Sequence, residues 1–142
     1  WSPSGDWSSK QACLNNTFRN NTIELPWHAN GIAVYGGGGH QIEGNQIIGT
    51  VMSGAGILIS SGFEAVPFSS SIIARNNTII STGGECYIGE RVGGIWIYAK
   101  DSDIEVPIII ENNRIRDSAE SGITLHGPRA LSDLQIRNQH FD

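Results

Sequence analysis

The chain has 142 residues, of which 39% are apolar and 16% charged, with eighteen glycines and a net charge of −5. That length supports one compact domain with its own core. Nine scattered Lys and Arg argue against nucleic acid or an anionic membrane as partner, and no run of about 18 apolar residues is present to cross a bilayer.

Taken in chain order, the predicted elements alternate between two short motifs. The first, apolar-x-x-Asn-x-apolar, opens with Phe18, Asn21 and Ile23. The second, Gly-apolar-x-apolar, opens with Gly31-Ile32-Ala33-Val34. Next come Ile42, Asn45 and Ile47, then Gly56-Ile57-Leu58-Ile59. A weaker copy, Ala74, Asn77 and Ile79, precedes Gly94-Ile95-Trp96-Ile97. Ile110, Asn113 and Ile115 precede Gly122-Ile123-Thr124-Leu125, and Ile136, Gln139 and Phe141 close the series. Copies recur every 24 to 38 residues, and the irregularity lies between them.

Strands of three to five residues with period-two alternation cannot bury an apolar face alone, so successive turns must stack. Asn and Gly enter left-handed backbone conformations cheaply, so Asn-Asn and Gly between strands mark sharp corners. Asn at the same corner of each coil can also form a hydrogen-bonded ladder. The fold class is therefore all-β, a right-handed parallel β-helix of about five to six coils, with the Asn-x-apolar and Gly-apolar strands in separate parallel sheets. A β-sandwich is the rival, but few hairpin dipeptides separate the strands. Helical periodicity is nearly absent, apart from one candidate turn over Asp117 to Ser121. Trp1-Ser2 reads as the tail of a Gly-apolar strand and Phe141-Asp142 as the end of an Asn motif. Residues 1–142 are thus expected to be a single β-helix domain, a fragment truncated at both ends. Cys13 and Cys86 fall two or more layers apart at roughly 4.8 Å per layer, which favours free thiols over a disulfide.

In the Gly-apolar strands the first and third residues after Gly face the core. The second and fourth then face out: Ala33 and Tyr35, Leu58 and Ser60, Trp96 and Tyr98, Thr124 and His126. Stacking places Tyr35, Ser60, Tyr98 and His126 in one column, with Trp1 above and Trp96 in the neighbouring column. Trp and Tyr offer flat faces to sugar rings, and a layer spacing of about 4.8 Å suits a sugar chain. An exposed glycan-facing surface is favoured over aromatics packed beneath loops.

None of the eight outward positions is Asp or Glu, whereas glycoside hydrolysis normally uses two carboxylates. Glu85, Glu90, Asp101, Asp103, Glu105, Asp117 and Glu120 fall in connections and read as solvated. Asp101, Asp103 and Glu105 offer oxygen ligands to calcium but lack the glycine and spacing of a full loop motif, so a solvated turn is favoured and no cofactor is expected. His28, His40 and His140 lack metal-ligand spacing. The sequons at Asn15, Asn20 and Asn76 arise from the corner motif itself, and Gly36 to Gly39 opens no helix that would cradle phosphate.

Trp1-Ser2, then Phe18 to Trp27 (Phe-Arg-Asn-Asn-Thr-Ile-Glu-Leu-Pro-Trp) and Ala29 to Gly37 (Ala-Asn-Gly-Ile-Ala-Val-Tyr-Gly-Gly), resemble the bacterial α-1,3-glucanases (mutanases) among the glycoside hydrolases. Ile42 to Asn45, Gly54 to Ile59, Gly83-Gly84 and Asp117-Ser118 extend the resemblance more loosely. It implies a secreted parent enzyme whose catalytic β-helix carries clustered aspartates, some in a Gly-Asp-Asp-Gly strand ending in Trp-Ser. Those aspartates would precede Trp1, so no catalytic role carries over to any residue of this chain. The expectation is a part of that β-helix supplying scaffold and one side of an α-glucan cleft, with the rest of the parent helix as its partner. Trp27, His28, Tyr35, Trp96, Tyr98 and His126 are the expected substrate contacts. The alternative is a non-catalytic carbohydrate-binding or surface module. A polysaccharide lyase would need basic residues and calcium-binding acids on the strand face, and neither is there.

Overall fold

Short strands bury a face only if further layers are laid against their edges, and the chain achieves this by winding. The computed structural model describes residues 5–6, 11–51, 53–62 and 66–142, of which 5, 6 and 11 by backbone alone. Trp1 and Ser2, expected above the outward column, lie outside the described residues. A two-residue antiparallel pair comes first, β1 (Gly5–Asp6) with β2 (Gln11–Ala12). The coils follow: β3 (Thr17–Arg19), β4 (Thr22–Glu24) and β5 (Ile32–Val34); then β6 (Gln41–Glu43), β7 (Gln46–Ile48) and β8 (Ile57–Ser60). The third has β9 (Ile72–Arg75), β10 (Thr78–Ile80), a hairpin of β11 (Gly84–Glu85) and β12 (Arg91–Val92), then β13 (Ile95–Tyr98). Then come β14 (Ile108–Glu111), β15 (Arg114–Arg116) and β16 (Ile123–His126), and finally β17 (Leu134–Arg137) and β18 (His140–Phe141).

These strands form three parallel sheets, in the orders β17-β14-β9-β6-β3, β18-β15-β10-β7-β4 and β16-β13-β8-β5. The fold is the expected parallel β-helix, of about five coils. The Gly-apolar strands do form their own sheet, but each Asn motif straddles a corner and feeds two: Phe18 and Ile42 lie in one sheet, Ile23 and Ile47 in the next. The register carries every motif onto its successor, so Ile32, Ile57, Ile95 and Ile123 make one inward file and Val34, Ile59, Ile97 and Leu125 another. Inward files from all three sheets meet in one core cluster. Leu125, Ile136 and Phe141 follow the inward files but remain exposed, because no further described coil covers them.

The two Asn of each corner divide the work. The first enters the left-handed region, with φ of 55° at Asn20, 56° at Asn76, 54° at Asn112 and 51° at Asn138. Gly44, φ 65°, takes that place in the second coil. The second Asn turns inward and builds the ladder. Asn21 Nδ2 donates to Asn45 Oδ1 at 2.9 Å, Asn45 to Asn77 at 3.0 Å, and Asn77 to Asn113 at 2.9 Å. Asn113 ends on Gln139 Oε1 at 3.2 Å. The amides of Asn45, Asn77 and Asn113 also bond the backbone: Asn77 Oδ1 accepts from the Asn45 N–H and Asn77 Nδ2 donates to the Ile42 carbonyl.

The glycines that open the second motif have a different reason from the left-handed corner expected of them. Gly56 and Gly94 have no positive φ; a Cβ there would come within 2.5 Å of Ile79 and 2.6 Å of Ile115, respectively. They are glycine because a core isoleucine of the adjoining sheet presses against the backbone. The turn expected over Asp117 to Ser121 is a bend without helix, since the short connection leads straight into β16. Cys13 and Cys86 are both free. Asp103 Oδ1 accepts from the Ala130 N–H at 2.9 Å, tying neighbouring coils together, and among the described residues no three His, Cys, Asp or Glu converge as metal ligands.

On the outer side of the first sheet, register aligns Arg19, Glu43, Arg75, Glu111 and Arg137 in alternating charge. Arg19 and Arg75 approach Glu43 at 3.1 and 3.4 Å. Partial burial raises the Glu43 carboxyl, but the hydrogen bonds and charges of Arg75 and Arg19 outweigh it and hold it below its usual value. His40, buried after the glycine corner, donates from Nε2 to the Gly36 carbonyl at 2.9 Å and accepts at Nδ1 from the Asn16 N–H at 3.3 Å. Burial lowers its pKa, against the opposing pull of the Gly36 carbonyl, so the ring is neutral.

Two outcomes follow. Asn77→Ala strands the buried Asn45 N–H and should cost about 3 kcal/mol in urea unfolding, whereas Asn76→Gly, at a left-handed position, should change stability by less than about 0.5 kcal/mol. For His40, the folded-state pKa lies below the unfolded value near 6.5. Its contribution is therefore complete above that pH and is lost as pH falls from there toward the depressed folded value. His40→Gln should flatten this part of the stability–pH curve.

Candidate cleft on the outer face

The side chains that alternate outward from the β5-β8-β13-β16 sheet stand in the expected columns. Tyr98 is in register with Ser60 and His126, and Trp96 with Leu58 and Thr124. Their surroundings differ from expectation. Trp96 is 1% exposed and Tyr98 8%, so these two residues are corrected from open contacts to packed ones. The physical reason is the β11–β12 hairpin, which lays Cys86 and Val92 over the sheet. Together with Ala33, Ala55, Leu58, Trp96 and Tyr98 they make a second apolar cluster, outside the solenoid wall, against which Tyr35 packs. Trp96 and Tyr98 stack with centroids 5.1 Å apart and planes 14° apart.

The hairpin leaves the outer face open on either side. On one side lies a cleft of about 410 Å³, with Trp96 at its floor. One wall is formed by the corner residues His28, Asn30 and Ser53, the other by Glu85, Cys86 and Tyr87 of the hairpin. Asn30 Oδ1 accepts from the Ala55 N–H at 2.9 Å and so pins the two corners of that wall together. A smaller space of about 220 Å³ adjoins it, sharing His28, Asn30 and Tyr87 and ending at Tyr35. Burial raises the Tyr35 hydroxyl pKa and, together with neighbouring Tyr98, that of Tyr87; both phenols are neutral donors and acceptors at ordinary pH. On the other side of the hairpin a shallow cleft of about 600 Å³ is bordered by Glu90, Arg91, Glu120, Thr124 and His126. Here His126 Nε2 lies 3.7 Å from Glu90 and Arg91 pairs with Glu120 at 3.0 Å.

The structure thus brings His28, Tyr35 and Trp96 around one connected space. His126 belongs to the other cleft, and Tyr98 is enclosed between them. Trp27 is 67% exposed and reaches the main cleft only through His28, whose ring it meets edge-on at 5.7 Å. Asn30 and Tyr87 line the space without having been singled out, and Glu85, read from the sequence as a solvated loop acid, lines it too. A signal for them was present. Fifteen positions separate Ile79 from Gly94, against seven to nine between the corresponding residues of the other coils, and that surplus is the hairpin.

A cleft with exposed aromatic surface on one wall, and amide, imidazole and carboxylate groups converging from the others, suits a neutral, hydroxyl-bearing ligand of modest size. Among the described residues, no Lys or Arg lines the two connected spaces. The sequence matches a family model described as "Right handed beta helix region" over residues 7–142. No curated protein and no solved structure matches.

The packing makes a distinction that mutation can read. Trp96→Ala removes the centre of the outer cluster and should cost about 3–5 kcal/mol in urea unfolding. Tyr87→Ala, at a residue 74% exposed, should change stability by less than about 1 kcal/mol.

Proposed function

The chain belongs to the right-handed β-helix family, and from that premise we propose that it forms part of a secreted glycoside hydrolase acting on α-1,3-glucan, supplying the scaffold and one glycan-binding wall. The observation that carries this reading is the cleft of about 410 Å³ in which Tyr87 and Trp96 meet His28, Asn30 and Glu85. Aromatic faces take the C–H surface of a sugar, and the polar groups take its hydroxyls. The resemblance of the segment from Phe18 to Gly37 to the α-1,3-glucanases supplies the linkage and the extracellular setting.

A second reading, a non-catalytic carbohydrate-binding or surface module, is favoured by one feature. The outward strand positions 33, 35, 58, 60, 96, 98, 124 and 126 carry no carboxylate, and glycosidic cleavage normally takes a proton donor and a second carboxylate that attacks the sugar or activates water. The two readings agree about the isolated chain and differ about the longer protein.

The test is retention on insoluble α-1,3-glucan with cellulose as control. The 142-residue chain should be held by α-1,3-glucan and should release no reducing sugar from it. His28→Ala combined with Tyr87→Ala should lower the retained fraction about tenfold. Equal retention of chain and double variant would overturn the cleft as the binding site. Release of sugar by this chain, abolished by changing Asp101, Asp103 or Glu105, would place catalysis on acids that are here assigned to turns.

A further inference from the structure

Trp96 is almost wholly buried, yet its indole Nε1 has no hydrogen-bond partner among the described residues. A buried tryptophan N–H usually finds an acceptor, and leaving one without is destabilising. Such an orphan in an otherwise well-packed cluster calls for an explanation. Its place supplies one, because Trp96 forms the floor of the cleft described above.

Two neighbours on the hairpin complete the arrangement. Glu85 lines the same cleft, and its carboxylate has no ion-pair partner among the described residues. Tyr87 lies over Trp96, with ring centroids 6.3 Å apart and planes tilted by 58°, while the rest of its surface faces solvent. Two residues that line one space thus carry an unpartnered donor and an unpartnered acceptor, and the exposed Tyr87 ring lies against the indole that bears the donor. A hydroxyl is a neutral group that can satisfy both, since it accepts one hydrogen bond and donates another.

We infer that the Trp96 indole N–H and the Glu85 carboxylate are the specificity-determining pair of this cleft: a sugar enters between Tyr87 and Trp96, and one of its hydroxyls accepts from Trp96 Nε1 while donating to Glu85. The inference rests on the saccharide reading of the cleft and adds to it the atoms that orient the ring. Nε1 is buried, so entry requires the hairpin tip to move outward. The hairpin is built for that. Its strands are two residues each, and its Arg91–Glu120 tie is solvent-exposed and hence weak. Cys86 and Val92 stay anchored in the outer cluster while Tyr87, Ile88 and Gly89 stand in solvent.

Trp96→Phe keeps an aromatic ring in the cluster and deletes only the donor. In titrations with α-1,3-linked glucotetraose it should bind about five- to tenfold more weakly than the parent chain, with its urea midpoint showing that the fold is kept. In the parent chain the Trp96 indole N–H resonance, assigned through bonds, should move as the tetrasaccharide is added. Glu85→Leu, at an exposed position, should weaken binding to a similar degree, and so keeps the test in hand if Trp96→Phe does not fold. Binding by Trp96→Phe equal to that of the parent, or a Trp96 resonance that stays still while Tyr87→Ala abolishes binding, would overturn the inference and leave the saccharide cleft standing. Failure of the parent chain to bind the tetrasaccharide at all would remove the saccharide reading, and this inference with it.

Discussion

Every coil of this protein must turn the same corner at the same height, because strands of three or four residues have no stability apart from the strands above and below them. The asparagine ladder enforces this. The amides of Asn45, Asn77 and Asn113 each accept from the backbone N–H and the side chain of one neighbouring coil, as Asn77 does from Asn45, and donate to a neighbour on the other side, as Asn77 does to Asn113. A slip of one residue would break bonds on both sides and turn the isoleucine files outward. The left-handed Asn or Gly just before each rung supplies the bend that aims the amide inward. The backbone conformation and the hydrogen bonds are thus set by adjacent residues of one motif.

Once register is held, the other features follow from repetition. Isoleucines in register fill the interior, and Gly31, Gly56 and Gly94, which open strands of the third sheet, admit Ile47, Ile79 and Ile115 against the backbone, as Gly122 admits Phe141. On the outer surface the same register aligns Arg19, Glu43, Arg75, Glu111 and Arg137 into a file of alternating sign. Its exposed pairs add little each, but like charges one coil apart would oppose stacking, and the alternation avoids this.

The cleft arises where the repetition is interrupted. Among the described residues, the third coil alone carries a hairpin between its second and third sheets, and that hairpin folds back over the outer face. It converts an open row of aromatics into a second core with clefts on either side. A regular solenoid would have presented Trp96 and Tyr98 to solvent. Here they give the hairpin a surface to rest on, and the groups available for recognition become those at its margins: Tyr87 and Glu85 on the hairpin, His28 and Asn30 on the facing corner.

What the sequence determined by itself was whatever depends on local chemistry repeated in register. The parallel coils, the left-handed Asn corners, the ladder, the inward isoleucines and the outward column of Ser60, Tyr98 and His126 could all be read from motif spacing, because each coil meets the same neighbours as the last. The steric need for glycine at Gly56 and Gly94 was not legible, since it depends on an isoleucine of another sheet, more than twenty residues away in the chain. Nor was the burial of Trp96 and Tyr98, or the placing of Glu85 beside His28 and Asn30. The alternation of a strand says which way a side chain points, but not what the rest of the chain lays over it. The surplus of residues between Ile79 and Gly94 marked where something departs from the coil; only tertiary packing, by seating Cys86 and Val92 on the outer face, decided that it would cover the aromatics and shape the cleft.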